Sequence, residues 1–323
     1  MAAMKEFNQT AAHVSYFIIS GFPELQDWPS QTILFSVFLL IYIATLLENI
    51  MFVVIIKLDE NLHSPMYAFI FQLALLDLSI PSVTVPEMLH YLLTKDNAIG
   101  FVACIFQMSL FRIFNTTEGL ILTVMAYDRY QAICNPLHYH SVMTIKYASW
   151  LSIYCWTAAV ATVVPSVYLT LVTPLCGRNV ILNFYCDYSS ITALACGDTR
   201  FHSAISLSLG LISMFTILGF VTFSYAQILL QVLGIASPED RWKAFSTCAS
   251  HLFVISVFML VTVFVAICSR ILNISDNAVI MAAVVQNILP PLANPIIYCL
   301  KTKEIRRSLV KLVKRSVIGS HGR

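Results

Sequence analysis

The sequence predicts an all-α membrane protein, with seven transmembrane helices followed by a short amphipathic C-terminal helix. Of the 323 residues, 58% are hydrophobic and 11% are charged, and the mean hydropathy is +0.78. Because a soluble domain carries about 25% charged residues, this composition excludes a soluble globular protein. The net charge of +2 gives no indication of nucleic acid binding.

Seven stretches are long and apolar enough to cross a bilayer as helices, which takes about 20 residues each. These spans are Thr32–Ile56, Met66–Leu92, Phe101–Tyr130, Tyr147–Leu171, Ser203–Leu233, Ala244–Cys268 and Ala278–Leu300. Six prolines fall inside these spans: Pro81, Pro86, Pro165, Pro290, Pro291 and Pro295. Membrane helices tolerate such prolines where neighbouring helices satisfy the freed backbone groups. The chain therefore divides into an extracellular N-terminus (residues 1–31), a seven-helix domain (32–300) and a cytoplasmic helix and tail (301–323).

The distribution of Lys and Arg predicts that the N-terminus lies outside the cell. With that orientation the inner segments hold thirteen of these residues and the outer segments hold five, while Arg112 lies within a span. Cytoplasmic loops of membrane proteins carry the same excess. Asn8 begins an N-glycosylation acceptor on the predicted outer side, and such acceptors are modified outside the cytoplasm. We expect a multi-pass protein of the plasma membrane.

The segment after Leu300 is predicted to form the short amphipathic helix. Its apolar residues Ile305, Leu309, Leu312 and Val313 fall on one helical face, and its Lys and Arg residues fall on the other. Such a helix lies on the inner leaflet and contacts membrane lipid. A disordered basic tail is the alternative.

One motif stands out at the end of the third span, in the stretch Met125–Tyr139 (MAYDRYQAICNPLHY). It places Asp128, Arg129 and Tyr130 where an apolar helix leaves the membrane. Five further motifs lie at predicted span boundaries or centres: LHSPMY (Leu62–Tyr67), LALLDLS (Leu73–Ser79), KAFSTCASHL (Lys243–Leu252), PPLANPIIY (Pro290–Tyr298) and TKEIR (Thr302–Arg306). Together these motifs closely resemble those of odorant receptors, a branch of the rhodopsin-like G-protein-coupled receptors. LDENLHSPMY and the short third inner loop favour the fish-like subclass.

The resemblance implies a receptor that binds a small odorant and activates a stimulatory olfactory-type G protein, which raises cAMP. It assigns activation and coupling to a set of residues near the inner face: Asp128, Arg129, Tyr130, Tyr225, Asn294, Pro295 and Tyr298. Arg129 is expected to bond Asp128 at rest, and Tyr225 and Tyr298 to swing inward on activation. Anchoring at the lipid interface is the alternative role for the two tyrosines.

Three positions depart from the family pattern. Glu48 stands where the family usually has Gly, and Glu87 stands where Lys is common. Met259 follows Phe258 where an aromatic residue is usual, so the resemblance does not extend to the family's aromatic switch beneath the ligand.

Arg112 is the most individual feature of the chain, because charges within a span cost at least about 2.5–3.5 kcal/mol. It lies roughly 16 Å into the third span at 1.5 Å per residue. A guanidinium forms forked hydrogen bonds with carboxylate, sulfate or phosphate. We hypothesise that the ligand is an anion held by Arg112. The alternatives are an internal salt bridge with Glu87, at comparable depth in span two, and a solvated Arg112.

Helical periodicity and the resemblance together predict the remaining ligand-binding residues. Those on the Arg112 face of span three are Met108, Asn115, Thr116 and Gly119, joined by Met259 and Thr262 from span six. Arg270, at the outer end of span six, is expected either to draw anions to the mouth of the site or to be a solvated loop charge.

Asp77 and Glu118 lie near the middles of spans two and three. The resemblance implies that they face each other and hold a sodium ion that favours the inactive state. The alternative is a pair that shares one proton, since two close carboxylates rarely both ionise. Apart from this ion, no cofactor is expected.

Of the nine cysteines, Cys176, Cys186 and Cys196 lie ten residues apart in a polar loop, which suggests disulfides on an oxidising face. The residues alone leave the pairing open. The resemblance implies Cys104–Cys186 and Cys176–Cys196.

The sequence thus predicts an odorant receptor and no enzymatic site. One alternative is a related receptor for a hormone or metabolite outside the olfactory epithelium. A seven-span transporter is a remote alternative, because its expected duplicated halves are not apparent.

Overall fold

A computed structural model describes residues 14–175, 177–196, 200–235, 237–268 and 275–320. Within these ranges the chain forms seven long helices: α1 (Trp28–Leu58), α2 (Pro65–Thr94), α3 (Phe101–Cys134), α5 (Ile145–Val172), α7 (Arg200–Leu233), α8 (Pro238–Cys268) and α9 (Asp276–Lys301). Short helices are α4 (Pro136–Val142) and α6 (Tyr188–Thr192), and α10 (Lys303–Ser320) is the expected C-terminal helix. The predicted fold class is confirmed. We call the end of the bundle that carries residues 14–27 the N-terminal face, and the end that carries α10 the C-terminal face.

The long helices differ in how apolar they are. Among the described residues, α1, α2, α5, α7 and α9 are long and apolar enough to cross a membrane on composition alone, and α8 contributes the shorter apolar stretch His251–Val265. Charged and polar residues lower the mean hydropathy of α3, which nevertheless lies at the centre and contacts α2, α5, α7 and α8. Buried against other helices, its polar residues can be satisfied by protein groups.

Two helices, α1 and α8, begin four and six residues before the predicted spans, because hydropathy does not detect polar caps and polar helical turns. Asp27 caps α1 by accepting a hydrogen bond from the Ser30 backbone N–H at 3.0 Å. That bond lowers the pKa of the Asp27 carboxyl. Pro29 in the first turn costs nothing there, since its missing N–H would be unpaired anyway. α8 similarly begins at Pro238, before the first apolar residues.

Polar side chains join the helices inside the bundle. Gln72 of α2 donates to Ser152 of α5, and Thr84 of α2 donates to Asn287 of α9 at 3.0 Å. Asn49 of α1 donates to the backbone oxygen of Pro291 at 2.9 Å. Because lipid tails are as apolar as a leucine side chain, the hydrophobic effect does not drive helices together within a membrane. Hydrogen bonds such as these, together with close packing, hold the helices together instead.

A small β-sheet covers part of the N-terminal face and was not predicted. It contains β1 (Tyr16–Ile19), β2 (Ala98–Gly100) and β3 (Val180–Ile181), in the order β2-β1-β3. β1 is antiparallel to β2 and parallel to β3. Its alternate side chains Phe17 and Ile19 are buried, so this part of the predicted N-terminal segment is packed onto the bundle.

The segment that follows β1 crosses the end of α2 at Gly21. Gly21 has φ +58°, and a methyl group there would overlap the ring of Tyr91. The Tyr91 hydroxyl in turn lies 3.1 Å from Gln26 Oε1. Glu24 accepts a hydrogen bond of 2.9 Å from Asn277 Nδ2 at the start of α9. Residues 14–27 therefore tie α2, α9 and the sheet together.

We predict that Gly21→Ala destabilises the N-terminal face, because alanine is strained at this φ and its methyl group meets Tyr91. The expected cost is about 1–3 kcal/mol, the usual range for a residue held in a disfavoured backbone conformation. Thermal unfolding of the purified protein would show a lower midpoint for this variant.

Gly100→Ala is the matched control, because Gly100 has φ −62° and nothing lies within 4 Å of the added methyl group. Equal stability of the two variants would show that the crossing at Tyr91 does not constrain the fold.

Candidate functional site

A cavity of about 170 Å³ lies between α3, α5, α7 and α8, in the half of the bundle toward the N-terminal face. Four of the predicted ligand-binding residues line it with Arg112: Asn115, Thr116, Met259 and Thr262. The 3.6-residue period of α3 brings Arg112, Asn115 and Thr116 to one side. Sequence reasoning did not identify the other lining residues, among them Thr162, Ser213, Met214, Ile217 and Phe258. They come from helices whose rotation the sequence pattern leaves open.

Arg112 has few protein partners in this cavity. Its Nη1 donates to Ser206 Oγ of α7 at 3.4 Å, and its guanidinium lies 5.1 Å from the centre of the Tyr188 ring. The alternative salt bridge with Glu87 is wrong: both residues are described, and no ion pair joins them. Similar depth along two helices does not place two side chains on facing sides.

Tyr188 begins α6, a short helix in the loop between α5 and α7. Asp187 caps this helix by accepting from the backbone N–H groups of Ser189 and Ser190. The disulfide Cys104–Cys186, as the resemblance implied, fastens the loop to α3 two residues before Tyr188. Burial raises the pKa of the Tyr188 phenol, although the nearby Arg112 opposes this shift. Sequence reasoning missed this residue because only the folded loop brings it to Arg112.

Aromatic side chains of the same loop fill the space on the other side of α3. Phe184 and Tyr185 are almost fully buried among residues of α2, α3 and α9. Tyr185 packs edge-on against Phe111, with ring centroids 4.8 Å apart. The open space beside α3 is therefore on the side of α5, α7 and α8, where Arg112 lies.

The remaining predicted ligand residues do not line this cavity. Met108 is fully buried in an apolar cluster with Cys104, Ile105 and Tyr188. Gly119 lies beneath the cavity, where Ile217 and Phe258 occupy the space that a larger side chain would need. Arg270 lies outside the described residues, as do Asn8 and Cys176, the latter with its expected disulfide to Cys196.

Asp77 and Glu118 are both buried in the middle of the bundle. Asn294 Nδ2 lies 3.1 Å from each carboxylate oxygen of Asp77. Oε1 of Glu118 is buried without a hydrogen-bond partner. Within the described ranges, no cluster of three or more His, Cys, Asp and Glu side chains is arranged to bind a metal. Any cation here needs hydroxyl, amide or backbone oxygens as further ligands.

The C-terminal end of α3 holds the expected pair of Asp128 and Arg129. Nε of Arg129 donates to Asp128 Oδ2 at 3.0 Å, and the hydroxyl of Tyr139 in α4 donates to Asp128 Oδ1 at 2.9 Å. Burial and the neighbouring carboxylate raise the pKa of Tyr139, which keeps its hydroxyl protonated as a donor. Tyr130, on the next position of α3, packs near Phe223 of α7 with ring centroids 6.2 Å apart.

A second polar contact joins α7 and α8 near the same end. The hydroxyl of Tyr225 lies 2.7 Å from Nδ1 of His251. Beside this contact an apolar cleft of about 690 Å³ runs between α7 and α8, lined by residues such as Leu218, Ile228 and Phe253. Tyr298 of α9 is buried, and its hydroxyl has no hydrogen-bond partner. Pro295 lies between Asn294 and Tyr298 in α9.

Comparison with known proteins places these features in one family. The family model described as olfactory receptor matches residues 38–316. Human olfactory receptor 6N1 is 37% identical over 306 residues, covering 94% of this chain and 96% of its own length. Human olfactory receptor 5AN1 is 37% identical, with the same shares covered. Mouse olfactory receptor 6B9 is 36% identical over 306 residues, again with the same shares.

The fold also matches a solved receptor structure. Squid rhodopsin superposes with a TM-score of 0.71 at 16% identity, covering 89% of this chain and 87% of the rhodopsin chain. At that identity the likeness concerns the fold alone. The family match has wider consequences, since its members are non-enzymatic, multi-pass membrane receptors for small odorants that act through G proteins. This chain therefore belongs to the olfactory receptor family of G-protein-coupled receptors.

Proposed function

We propose that this odorant receptor recognises a small anion through Arg112. The single observation that carries the proposal is a cation in the cavity whose described hydrogen-bond partner is one hydroxyl at 3.4 Å. Among the described residues it forms no ion pair with a carboxylate. A charge in this position is costly unless a counter-ion or hydrogen bonds compensate it.

The chemistry of the cavity supports a carboxylate ligand. A guanidinium has five N–H donors in a planar fork that matches the two oxygens of a carboxylate. The Arg112 guanidinium carbon lies 5.1 Å from the centre of the Tyr188 ring, so an anion would approach the guanidinium from the side away from this ring. Asn115, Thr116 and Ser213 supply polar groups nearby, while Met214 and Ile217 supply an apolar wall. This combination suits an acid with an apolar tail.

The size of the cavity favours a short tail. An apolar protein cavity of about 150 Å³ accommodates benzene, which has six non-hydrogen atoms. A cavity of about 170 Å³ is close to that size. We therefore favour short-chain or compact carboxylic acids over long fatty acids.

For the output we propose an extracellular N-terminus in the plasma membrane and coupling to a stimulatory olfactory-type G protein. The excess of Lys and Arg toward the C-terminal face supports this orientation. Ligand binding shifts a pre-existing equilibrium by favouring the active conformation. The cleft between α7 and α8 leaves α8 room to move when the Tyr225–His251 contact opens. That movement exposes Arg129 to the G protein, and cAMP rises.

The experiment is a cAMP reporter assay in which acids, esters and amines are applied to the wild type and to Arg112→Ala. We predict that short acids activate the wild type and lose roughly 10- to 100-fold in potency in the variant, the effect of one or two charge-assisted hydrogen bonds. Arg112→Lys should retain part of the response, because it keeps the charge without the fork.

Arg178→Ala is the matched control, since Arg178 is exposed on the N-terminal face and outside the cavity. An N-terminal epitope read on intact cells reports surface expression and tests the orientation. Full potency of Arg112→Ala for the best acid, or a wild-type response to neutral and cationic compounds alone, contradicts the proposed ligand class.

We further propose that Asp77 and Glu118 hold a sodium ion that stabilises the inactive state, with a shared proton as the alternative. Asp77→Asn removes one of the two carboxylates. If the ion is present, replacing choline by sodium at constant ionic strength lowers ligand potency in the wild type and leaves Asp77→Asn unchanged. The same dependence on sodium in both proteins contradicts the ion site, and a shared proton would instead make potency depend on pH.

A separate prediction concerns the restraint on Arg129. Tyr139→Phe removes a hydrogen bond to Asp128, so Asp128 holds Arg129 less firmly. Basal cAMP should rise by about two- to fivefold, the equilibrium effect of one hydrogen bond. Tyr42→Phe is the control, because it removes a similar contact, with Ser82, between α1 and α2. No rise in basal cAMP, or an equal rise in both variants, shows that Tyr139 does not restrain the coupling site.

A further inference from the structure

The amphipathic helix α10 is fastened to the bundle through Ser308. The Ser308 hydroxyl donates to Asp59 Oδ2 at 2.7 Å, immediately after the end of α1. Ser308 is only 8% exposed, and Ile305, one turn earlier, is 1% exposed. Lys311 Nζ lies 4.0 Å from the same Asp59 oxygen. One face of α10 is therefore held by an apolar contact and by a polar contact centred on Asp59.

Asp59 is bound from two directions. Its Oδ1 accepts hydrogen bonds from the backbone N–H of Asn61 at 3.2 Å and from Asn61 Nδ2 at 2.8 Å. Together with the bond from Ser308, these contacts lower the pKa of the Asp59 carboxyl to about 2. The group facing Ser308 is thus a fixed carboxylate, which accepts the hydroxyl hydrogen bond and repels any anion placed there.

The opposite side of α10 presents basic residues just before this serine. Arg306 and Arg307 are exposed, and they occupy the two positions that precede Ser308. Protein kinases select substrates partly by the pattern of charge around the acceptor hydroxyl. The sequence IRRSL therefore suits a kinase with an acidic substrate groove. In the docked helix, however, the Ser308 hydroxyl that would receive the phosphate is hydrogen-bonded to Asp59.

We propose that Ser308 is a phosphorylation site for a basic-directed Ser/Thr kinase and is accessible only when α10 lifts away from Asp59. The kinase supplies MgATP as the co-reactant. Ser308 Oγ bonds to the γ-phosphorus of ATP, the bond from that phosphorus to the bridging oxygen breaks, and ADP leaves. The hydroxyl proton passes to the catalytic base of the kinase.

The modified residue is incompatible with the docked position. A phosphoserine carries a charge of about −1.5 to −2 at neutral pH, and Asp59 Oδ2 lies 2.7 Å from the oxygen that would bear it. Lys311 is the nearby cation, and its single charge already faces Asp59. Phosphorylation therefore prevents α10 from docking again. Because α10 follows directly after α9, this changes the C-terminal face next to Tyr298.

The test uses the full-length receptor in lipid nanodiscs, where both faces are accessible. The receptor is incubated with MgATP and the catalytic subunit of cAMP-dependent protein kinase, and phosphopeptides are followed over time by mass spectrometry. We predict slow modification of Ser308 in the wild type and none at that position in Ser308→Ala. Asp59→Ala should raise the initial rate at Ser308 roughly 10- to 100-fold, the equilibrium effect of one hydrogen bond to a charged group.

Ser316 provides an internal control, since it also follows two basic residues, Lys314 and Arg315, in α10. Its rate should not change in Asp59→Ala. Absence of phosphate on Ser308 in both the wild type and Asp59→Ala contradicts the site, and equal rates at Ser308 contradict its control by Asp59. The result does not depend on the ligand class or on the membrane orientation proposed above, because neither enters this assay.

Discussion

The absence of hydrogen-bond partners in lipid is the constraint on which the rest of the structure depends. Each polar group within a span has to be satisfied by the backbone of its own helix, by another helix, by loop residues or by a ligand. Asn49 meets this requirement with the Pro291 backbone oxygen, and Thr84 meets it with Asn287. Arg112 meets it only in part. The difference separates the polar contacts that hold the bundle together from the group that we propose binds the ligand.

The central helix α3 carries both ends of the proposed signal. Arg112 faces the cavity, and Arg129 lies seventeen residues later at the C-terminal face, a distance of roughly 25 Å along a helix. A helix of this kind does not transmit a signal by stretching. The elements that can rearrange around it are the contact of Tyr225 with His251 and the cleft between α7 and α8. Met259 lines both the cavity and the cleft, so in the proposed mechanism a ligand beside α8 acts on these elements directly.

Much of this fold could be predicted from the sequence, because hydropathy and span length are local properties and the motifs mark where helices begin and end. The disulfide Cys104–Cys186 and the pairing of Arg129 with Asp128 were implied by the resemblance to odorant receptors, since the residues alone leave the cysteine pairing open. The β-sheet was not predicted, since its pairs join residues as distant in sequence as Phe17 and Ile99. The contacts of Arg112 with Ser206 and Tyr188 could not be predicted from the sequence either. Whether it faces Glu87 or Tyr188 depends on the rotation of neighbouring helices and on the path of a loop, and neither leaves a periodic signal.

The disulfide Cys104–Cys186 has a consequence for chemical selectivity. It holds the loop against α3 two residues before Tyr188, and the Tyr188 ring lies 5.1 Å from the Arg112 guanidinium. The shape of the proposed anion site is thus set partly by a covalent bond that forms only in an oxidising compartment. A receptor whose bundle remains intact after mild reduction would still present Arg112, but with the Tyr188 loop no longer fastened to α3 by this bond. If the ligand is the proposed acid, the redox state of the secretory pathway therefore affects which acids the mature receptor distinguishes.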